Sequence, residues 1–398
     1  MPAPLDGLTV LDFSHALAGP YCTMLMAAYG ARVYKIEPMD HGDMGRTWGP
    51  PFLPGGESAY FLGINSGKQA LAIDVKHPAG LALCQRLIAK ADILLENLRP
   101  GTMERLGLGY AAAAQINEKL IYCSISGFGQ NGPSRDDAAM DLILQAASGL
   151  ISVTGTPGGD LVRCGHSVAD VTAGMFALIG TLLALRAREQ NGRGQWVDVA
   201  MLESRISAMG SNYAQYLGGG IVPRPMGTAF ATIVPYACFP TADRPIAIAV
   251  ASEKLWQNFC LAVERPEWLE DPKLASNALR VKHRGEFEPT LTTVLQAQPA
   301  AEWVRRFARH GIPCSPVNDM ASVAAHPQAA FREMFPTVNH ATAGPVRVTG
   351  LPVKLPASLL PPLTPAPLHG EHTRQALRDL LDLDEASLTE LTAAGAIK

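Results

Sequence analysis

Between Asp170 and Arg186 the chain carries no charged residue, only small and apolar ones, within CGHSVADVTAGMFALIGTLLALRAR at 164–188. The run is shorter than the about 20 apolar residues that cross a bilayer, so it is expected as a helix buried in a protein core. A carboxylate in its first turn then has to be satisfied or functional, because buried carboxylates are rare unless paired or put to use. Asp170 has two readings on this ground. Ser167-x-x-Asp170 fits a capping box, in which the acid satisfies backbone donors at the helix start. Alternatively the acid is a reactive group.

The surrounding chain sets the fold class. Leu8 to Phe13 reads as a strand, Ala18 to Tyr29 as a helix rich in small residues and closed by Gly30, and Ala31 to Glu37 as a second strand. A strand, a tight turn, a helix and a strand within about 30 residues form a βαβ unit, hence a parallel sheet with helices on its faces. The pattern continues with strands at 70–75, 91–97, 120–126 and 195–200 and helices at 78–90 and 139–150. The fold class is therefore α/β: a Rossmann-like large domain, lacking GxGxxG and so without a case for NAD. Loops after the carboxyl ends of its strands carry His15, the Gly/Pro-rich 41–56 segment, Asn97-Leu98-Arg99 and Gly127 to Pro133. Ligands bind at such loops.

Residues 1–190 form the first part of the large domain. A connector at 191–224 includes a helix from Met201 to Leu217 and ends in glycines and prolines. A smaller α+β domain is expected at 225–325, with a strand at 246–250 and helices at 254–263 and 301–310. Residues 326–398 return to the large domain through a proline-rich strap at 356–367 and a final helix, Thr373 to Leu381. A chain of 398 residues with 47% hydrophobic content is long for a single core. Net charge of −3 with scattered basic residues offers nothing to nucleic acid. The seven cysteines form no CxxC pair and the ten histidines no HExxH, so a metal-free protein with reduced thiols is expected. With no signal peptide or membrane span visible, the expected location is cytoplasmic.

Three chemistries suit an acidic site. Glycosidase carboxylates lack their aromatic platforms here, with aromatics at 7%, and no GxSxG elbow supports a hydrolase. The third is an aspartate nucleophile that attacks an acyl carbon and holds the acyl group, with glycine-rich backbone donating to the oxyanion.

Eight segments in order then carry a resemblance. They are PLDGLTVLDFSHALAGPYCTMLMAAYGARVYKIE at 4–37, GDMGR at 42–46, ADILLENLRPGTMERLG at 91–107, SGFGQNGP at 126–133, SVADVTAG at 167–174, GRGQWVDVAML at 192–202, GIPCSPVND at 311–319 and LHGEHT at 368–373. Over nearly its whole length the sequence resembles the class III coenzyme A transferases. The resemblance implies that Asp170 is the nucleophile, with Asp141 assisting. The alternative for Asp141 is a charge on an amphipathic helix. It implies CoA contacts at His15, Leu17, Ala18, Arg46, Ile73, Lys76, Asn97, Leu98, Arg99, Arg105, Met140 and Met201. Leu17 and Pro38 stand where the family has glutamine and arginine, which leaves Arg46, Arg99 or Lys68 to meet the CoA phosphates. CoA is a substrate, and no permanently bound cofactor or metal is implied.

The family also contains α-methylacyl-CoA racemases, which use a histidine where this chain has Met140, so racemisation is disfavoured; His166 lies in a different loop. A binding protein without turnover is a second alternative. The segment from Arg46 to Phe52 resembles succinyl-CoA:glutarate transferase, which favours a dicarboxylate acceptor. Its second carboxylate would call for an arginine among Arg46, Arg163 and Arg224. The resemblance further implies a homodimer with interlocked chains.

Overall fold

The computed structural model describes residues 1–398, and the chain divides into two compact units. The larger comprises Met1–Leu150, Arg163–Ile221 and Ala330–Lys398; the smaller, Ile151–Val162 and Val222–Ala329. The larger unit is built on six strands: β1 (Thr9–Asp12), β2 (Arg32–Glu37), β3 (Gln69–Ala72), β4 (Ile93–Glu96), β5 (Ile121–Ser126) and β6 (Trp196–Ala200). They pair in parallel throughout, in the order β3-β2-β1-β4-β5-β6. The expected α/β class and parallel sheet are thus present. β6 is the sheet's edge strand, although the sequence reading placed 195–200 inside a connector. Residues 151–162 likewise group with the smaller unit and not with the large domain.

Alternate residues of each inner strand feed two cores, as a sheet covered on both faces requires. Val10, Val33, Ile93, Leu95, Ile121 and Cys123 face one. Leu11, Tyr34, Leu71, Leu94 and Tyr122 face the other. The first face is covered by α1 (Ala18–Ala28), with α2 (Pro78–Ile88) on the second. Further along come α3 (Asp141–Ala147), α4 (Val168–Asn191) and α5 (Met201–Ala208), the last separated at Met209 from α6 (Gly210–Gly219). The expected continuous helix from 201 to 217 is therefore two helices.

α4 differs from the sequence reading in extent and burial. It runs 24 residues, long and apolar enough by composition to cross a bilayer. It crosses α1 and covers the sheet through a buried stripe of small residues, Ala169, Ala173, Ala177, Thr181 and Ala184. At that crossing a Cβ on Gly174 would lie 2.5 Å from the Ala18 carbonyl oxygen, so glycine is what permits the close approach. The large residues point away: Met175, Ile179, Leu182 and Leu183 are exposed.

In the smaller unit, β7 (Tyr236–Phe239), β8 (Ile246–Ala249) and β9 (Cys314–Pro316) form an antiparallel sheet in the order β9-β8-β7. Its core is aromatic, centred on Trp256, Phe259, Phe287, Trp303 and Phe307. The C-terminal segment returns to the large sheet: α7 (Thr373–Leu381) packs into the second core, and Ile397 bridges to Ile73. α7 is not the last helix. Asp384 caps a further one, α8 (Glu385–Ala393), by accepting from Ser387 N.

Candidate active site

The strand order reverses between β1 and β4, and the crevice at their carboxyl ends is where an open α/β sheet takes its ligand. Asn97 stitches the two loops together there. Its Oδ1 accepts from His15 N at 2.8 Å and its Nδ2 donates to His15 O at 2.8 Å. Next to it Ala16 has φ +63°, a left-handed conformation that side chains disfavour and that surrounding structure must hold in place. The holding group is Asp43, which accepts from Ala16 N at 3.1 Å and Gly45 N at 2.8 Å and pairs with Lys35 at 2.7 Å.

Beneath this loop lies a buried ionic network. Lys35 Nζ also donates to Ser14 O at 2.7 Å. Asp12 accepts from Ser14, from Thr23 Oγ1 at 2.6 Å and from Lys68 Nζ at 3.0 Å. Glu37 accepts from Asp43 N and takes Arg46 in a two-point pair at 2.7 Å. The three carboxylates Asp12, Glu37 and Asp43 thus face three cations, Lys35, Lys68 and Arg46, as burial of charge demands. Burial alone would raise Asp12, but Lys68, Lys35 and the two hydroxyls hold it well below the usual range. Burial wins at Lys68, bringing its ammonium down to about 8 despite Asp12.

Arg46 and Lys68 are consequently committed. Arg46 also stacks on Phe61 at 3.7 Å and donates to Pro367 O, while Lys68 donates to Pro20 O and Asn65 Oδ1. Neither lines the crevice, contrary to the role expected from sequence.

The opposite wall is the start of α4. Ser167 makes no side-chain cap, so the capping box does not form. The first-turn donor Ala169 N goes instead to Asp141 Oδ1 at 2.8 Å, and Asp141 Oδ2 accepts from Gln145 Nε2 at 2.7 Å. Asp141 therefore fixes the helix end that carries the nucleophile candidate. Asp170 is pushed up to about 7, by burial first and then by the neighbouring Asp141 charge, with no cation or hydrogen bond opposing. Its place at a helix N-terminus favours the anion, but burial outweighs that.

Asp170 opens on a cavity of about 590 Å³. Of the residues expected from sequence, His15, Ala18, Asn97, Leu98, Arg99, Met140, Asp141 and Met201 line it with Asp170. Leu17 is buried just ahead of α1 and Ile73 is buried in the core, so neither reaches it. Lys76 and Arg105 are exposed away from the cavity lining. His166 is exposed and does not line it either.

Sequence reasoning missed Tyr60, Ser126 and Arg135 on the cavity wall; Trp48 and Gly127 lie there too, within loops it had given to ligand, and so does Ser167, which it had read only as a cap. Trp48 and Tyr60 meet edge-to-face at 4.9 Å. Burial, then the charges of Asp170, Asp43 and Asp141, raise the Tyr60 hydroxyl, which leaves it a protonated donor. Gly127 had a visible signal in GFGQNGP: a Cβ there would sit 2.1 Å from Ala139 Cβ and block the approach of the segment leading to Asp141.

Fold and site together define an α/β protein whose strand-switch crevice presents a lone, unbonded carboxylate from the first turn of an apolar helix. The profile of CoA-transferase family III matches residues 5–373, and the chain belongs to that family; it is a transferase. It is 34% identical over 394 residues to human succinyl-CoA:glutarate CoA-transferase, covering 99% of this chain and 90% of the relative. It is 37% identical over 353 residues to acetyl-CoA:oxalate CoA-transferase of Acetobacter aceti, covering 88% and 89%. The crystal structure of a CAIB/BAIF family protein from Brucella suis superposes with a TM-score of 0.86 at 30% identity, covering 96% of this chain and 100% of the other.

Proposed function

We propose that this CoA-transferase moves CoA from a succinyl-CoA-type donor to a dicarboxylic acid through covalent intermediates on Asp170. The observation that carries the reading is Asp170 itself: a carboxylate at the cavity wall, desolvated, without a hydrogen-bond partner. Such a carboxylate is a stronger nucleophile than a solvated one.

In the first step Asp170 Oδ attacks the thioester carbonyl, the C–S bond breaks, and CoA leaves as thiolate, giving a mixed anhydride. The thiolate then attacks the aspartyl carbonyl, releasing the donor acid as carboxylate and leaving an aspartyl-CoA thioester. The acceptor carboxylate attacks that thioester and expels CoA thiolate. The thiolate takes the new acyl group and frees Asp170. No net proton is exchanged, and the chemistry runs without a resident cofactor or metal. Tyr60, protonated and in the same cavity, supplies a neutral donor beside the reacting carbonyls. Asp141 acts by holding the start of α4.

CoA is assigned to the wall of His15, Ala18, Asn97, Leu98 and Arg99, with Met140 and Met201 flanking the acyl group; Lys76 and Arg105 lie exposed beyond it. The relatives named above act on glutarate and oxalate, which favours a dicarboxylate here. The exposed face of α4, with Leu142 and Ile143 exposed on α3, is assigned to a second copy in an interlocked homodimer. Seven free cysteines suit a reducing cytoplasm.

The test is to incubate the protein with succinyl-CoA and a panel of acids and separate the CoA esters. Glutaryl-CoA or another dicarboxylyl-CoA is expected. No transfer to any acid, alongside deuterium uptake at an acyl α-carbon, would replace the reading with racemisation.

A further inference from the structure

Three arginines line the cavity that holds Asp170: Arg99, Arg135 and Arg163. Arg135 is occupied, by Asp136 at 2.7 Å and by Gln130 O at 2.9 Å. Arg99 follows β4, next to the Asn97–His15 stitch, on the wall assigned to CoA. Arg163 stands at the head of the short segment that leads into α4. No acidic side chain pairs with it, and its guanidinium hydrogen-bonds to its neighbour's carbonyl, Cys164 O, at 3.3 Å. Most of its guanidinium fork is therefore unused.

What sets Arg163 apart is how its segment is anchored. Gln145, fully buried, accepts from Cys164 N at 2.8 Å through Oε1. Through Nε2 it donates to Asp141 at 2.7 Å and to His166 O at 3.4 Å. Asp141 in turn holds Ala169 N. One buried amide thus ties down both the backbone beside Arg163 and the helix end beside Asp170, fixing the spacing between the two. Arg163 nonetheless leaves Asp170 unpaired, so the two groups line one cavity of about 590 Å³ without touching each other. A guanidinium is the side chain best matched to a carboxylate, because its fork takes both oxygens at once.

We propose that Arg163 is the specificity residue of this enzyme, clamping the distal carboxylate of a dicarboxylyl group whose other end reacts at Asp170, with Gln145 setting the distance. The assignment names the substrate class of the site and rests on the transferase reading of Asp170.

The experiment separates the two. Binding is measured by calorimetry for glutaryl-CoA and for valeryl-CoA, which has the same chain length without the second carboxylate, on full-length Asp170→Asn protein that cannot turn them over. The same pair is then measured on Asp170→Asn carrying Arg163→Gln, Arg163→Lys or Arg99→Gln. The clamp predicts that glutaryl-CoA binds roughly 10- to 100-fold more tightly than valeryl-CoA, the scale of a charge-assisted pair. Arg163→Gln is expected to erase that ratio, Arg163→Lys to retain part of it, and Arg99→Gln to weaken both ligands alike. Absence of a glutaryl preference, or its survival in Arg163→Gln, overturns the assignment whether or not the wild type transfers CoA. The transfer assay with the acid panel judges the Asp170 reading separately.

Discussion

Replacing Asp170 by asparagine is expected to stabilise the protein, and to do so in a pH-dependent way that the site geometry dictates. In the unfolded chain this carboxyl ionises near 3.8; in the fold, burial and Asp141 push it up to about 7. The sign follows from proton counting. Below pH 3.8 the group is protonated in both states and contributes nothing. Between 3.8 and 7 the unfolded chain gives up the proton while the fold keeps it, so each pH increment favours unfolding. Above 7 both states are ionised and the penalty is complete. At about 1.4 kcal/mol per tenfold, the cost is about 2 kcal/mol at pH 5 and about 4 kcal/mol above pH 7, with solvent in the cavity trimming both. An asparagine side chain has the same shape and no charge to desolvate, so the variant escapes the penalty. Urea unfolding of wild type and Asp170→Asn at pH 5, 6, 7 and 8 reads the difference directly. A gap that widens with pH and levels off above 7 is expected. A constant gap, or a variant less stable than wild type at pH 8, would refute the claim that the fold holds this carboxylate at a cost. Enzymes commonly carry such a cost at a reactive group.

Three further outcomes follow from the same geometry. Asp141→Asn removes the like charge beside Asp170, so the acidic limb of the kcat/KM–pH profile should move down by up to about one pH unit; an unmoved limb would deny the coupling. Gly174→Ala places a Cβ 2.5 Å from the Ala18 carbonyl oxygen at the α1–α4 crossing, and the overpacking should exceed the helix-propensity gain to leave a net loss of about 1–2 kcal/mol in urea unfolding. Glu37→Gln strips the buried partner of Arg46 and should cost about 3–5 kcal/mol at pH 7. Because the Glu37 carboxyl lies below its ordinary value, that stability is present above about pH 4.5 and fades as pH falls through the folded value, so the wild-type advantage should shrink in acid.

The strands were legible because inner parallel strands are apolar on both faces, and LTVLDF, ARVYKIE and LIYCSIS show that continuous pattern. Asp170 was legible as the one charge at the head of a long neutral run. The buried cations were not. Lys35 sits in ARVYKIE and Arg46 in GDMGR, where a charge reads as solvated or as a ligand contact; only the fold brings Lys35 to Asp43 and Arg46 to Glu37. Lys68 meets Asp12 from 56 residues away, a pairing that no local pattern encodes. The burial of α4 was overestimated for a related reason. Apolar composition does not say which face finds a partner, and here the small residues are the buried ones. The capping-box motif at Ser167 was present in sequence but lost to a donor–acceptor pairing of Ala169 with Asp141, a residue 28 positions earlier.

The central claim is that Asp170 forms a covalent bond to the acyl group and to CoA. Intact-mass spectrometry of the protein incubated with succinyl-CoA and quenched with hydroxylamine or borohydride, beside Asp170→Ala, tests it directly. A trapped modification that maps to Asp170 and is missing from the variant is the expected result. An unmodified wild type under conditions where CoA transfer proceeds, or a label that persists in Asp170→Ala, would contradict it.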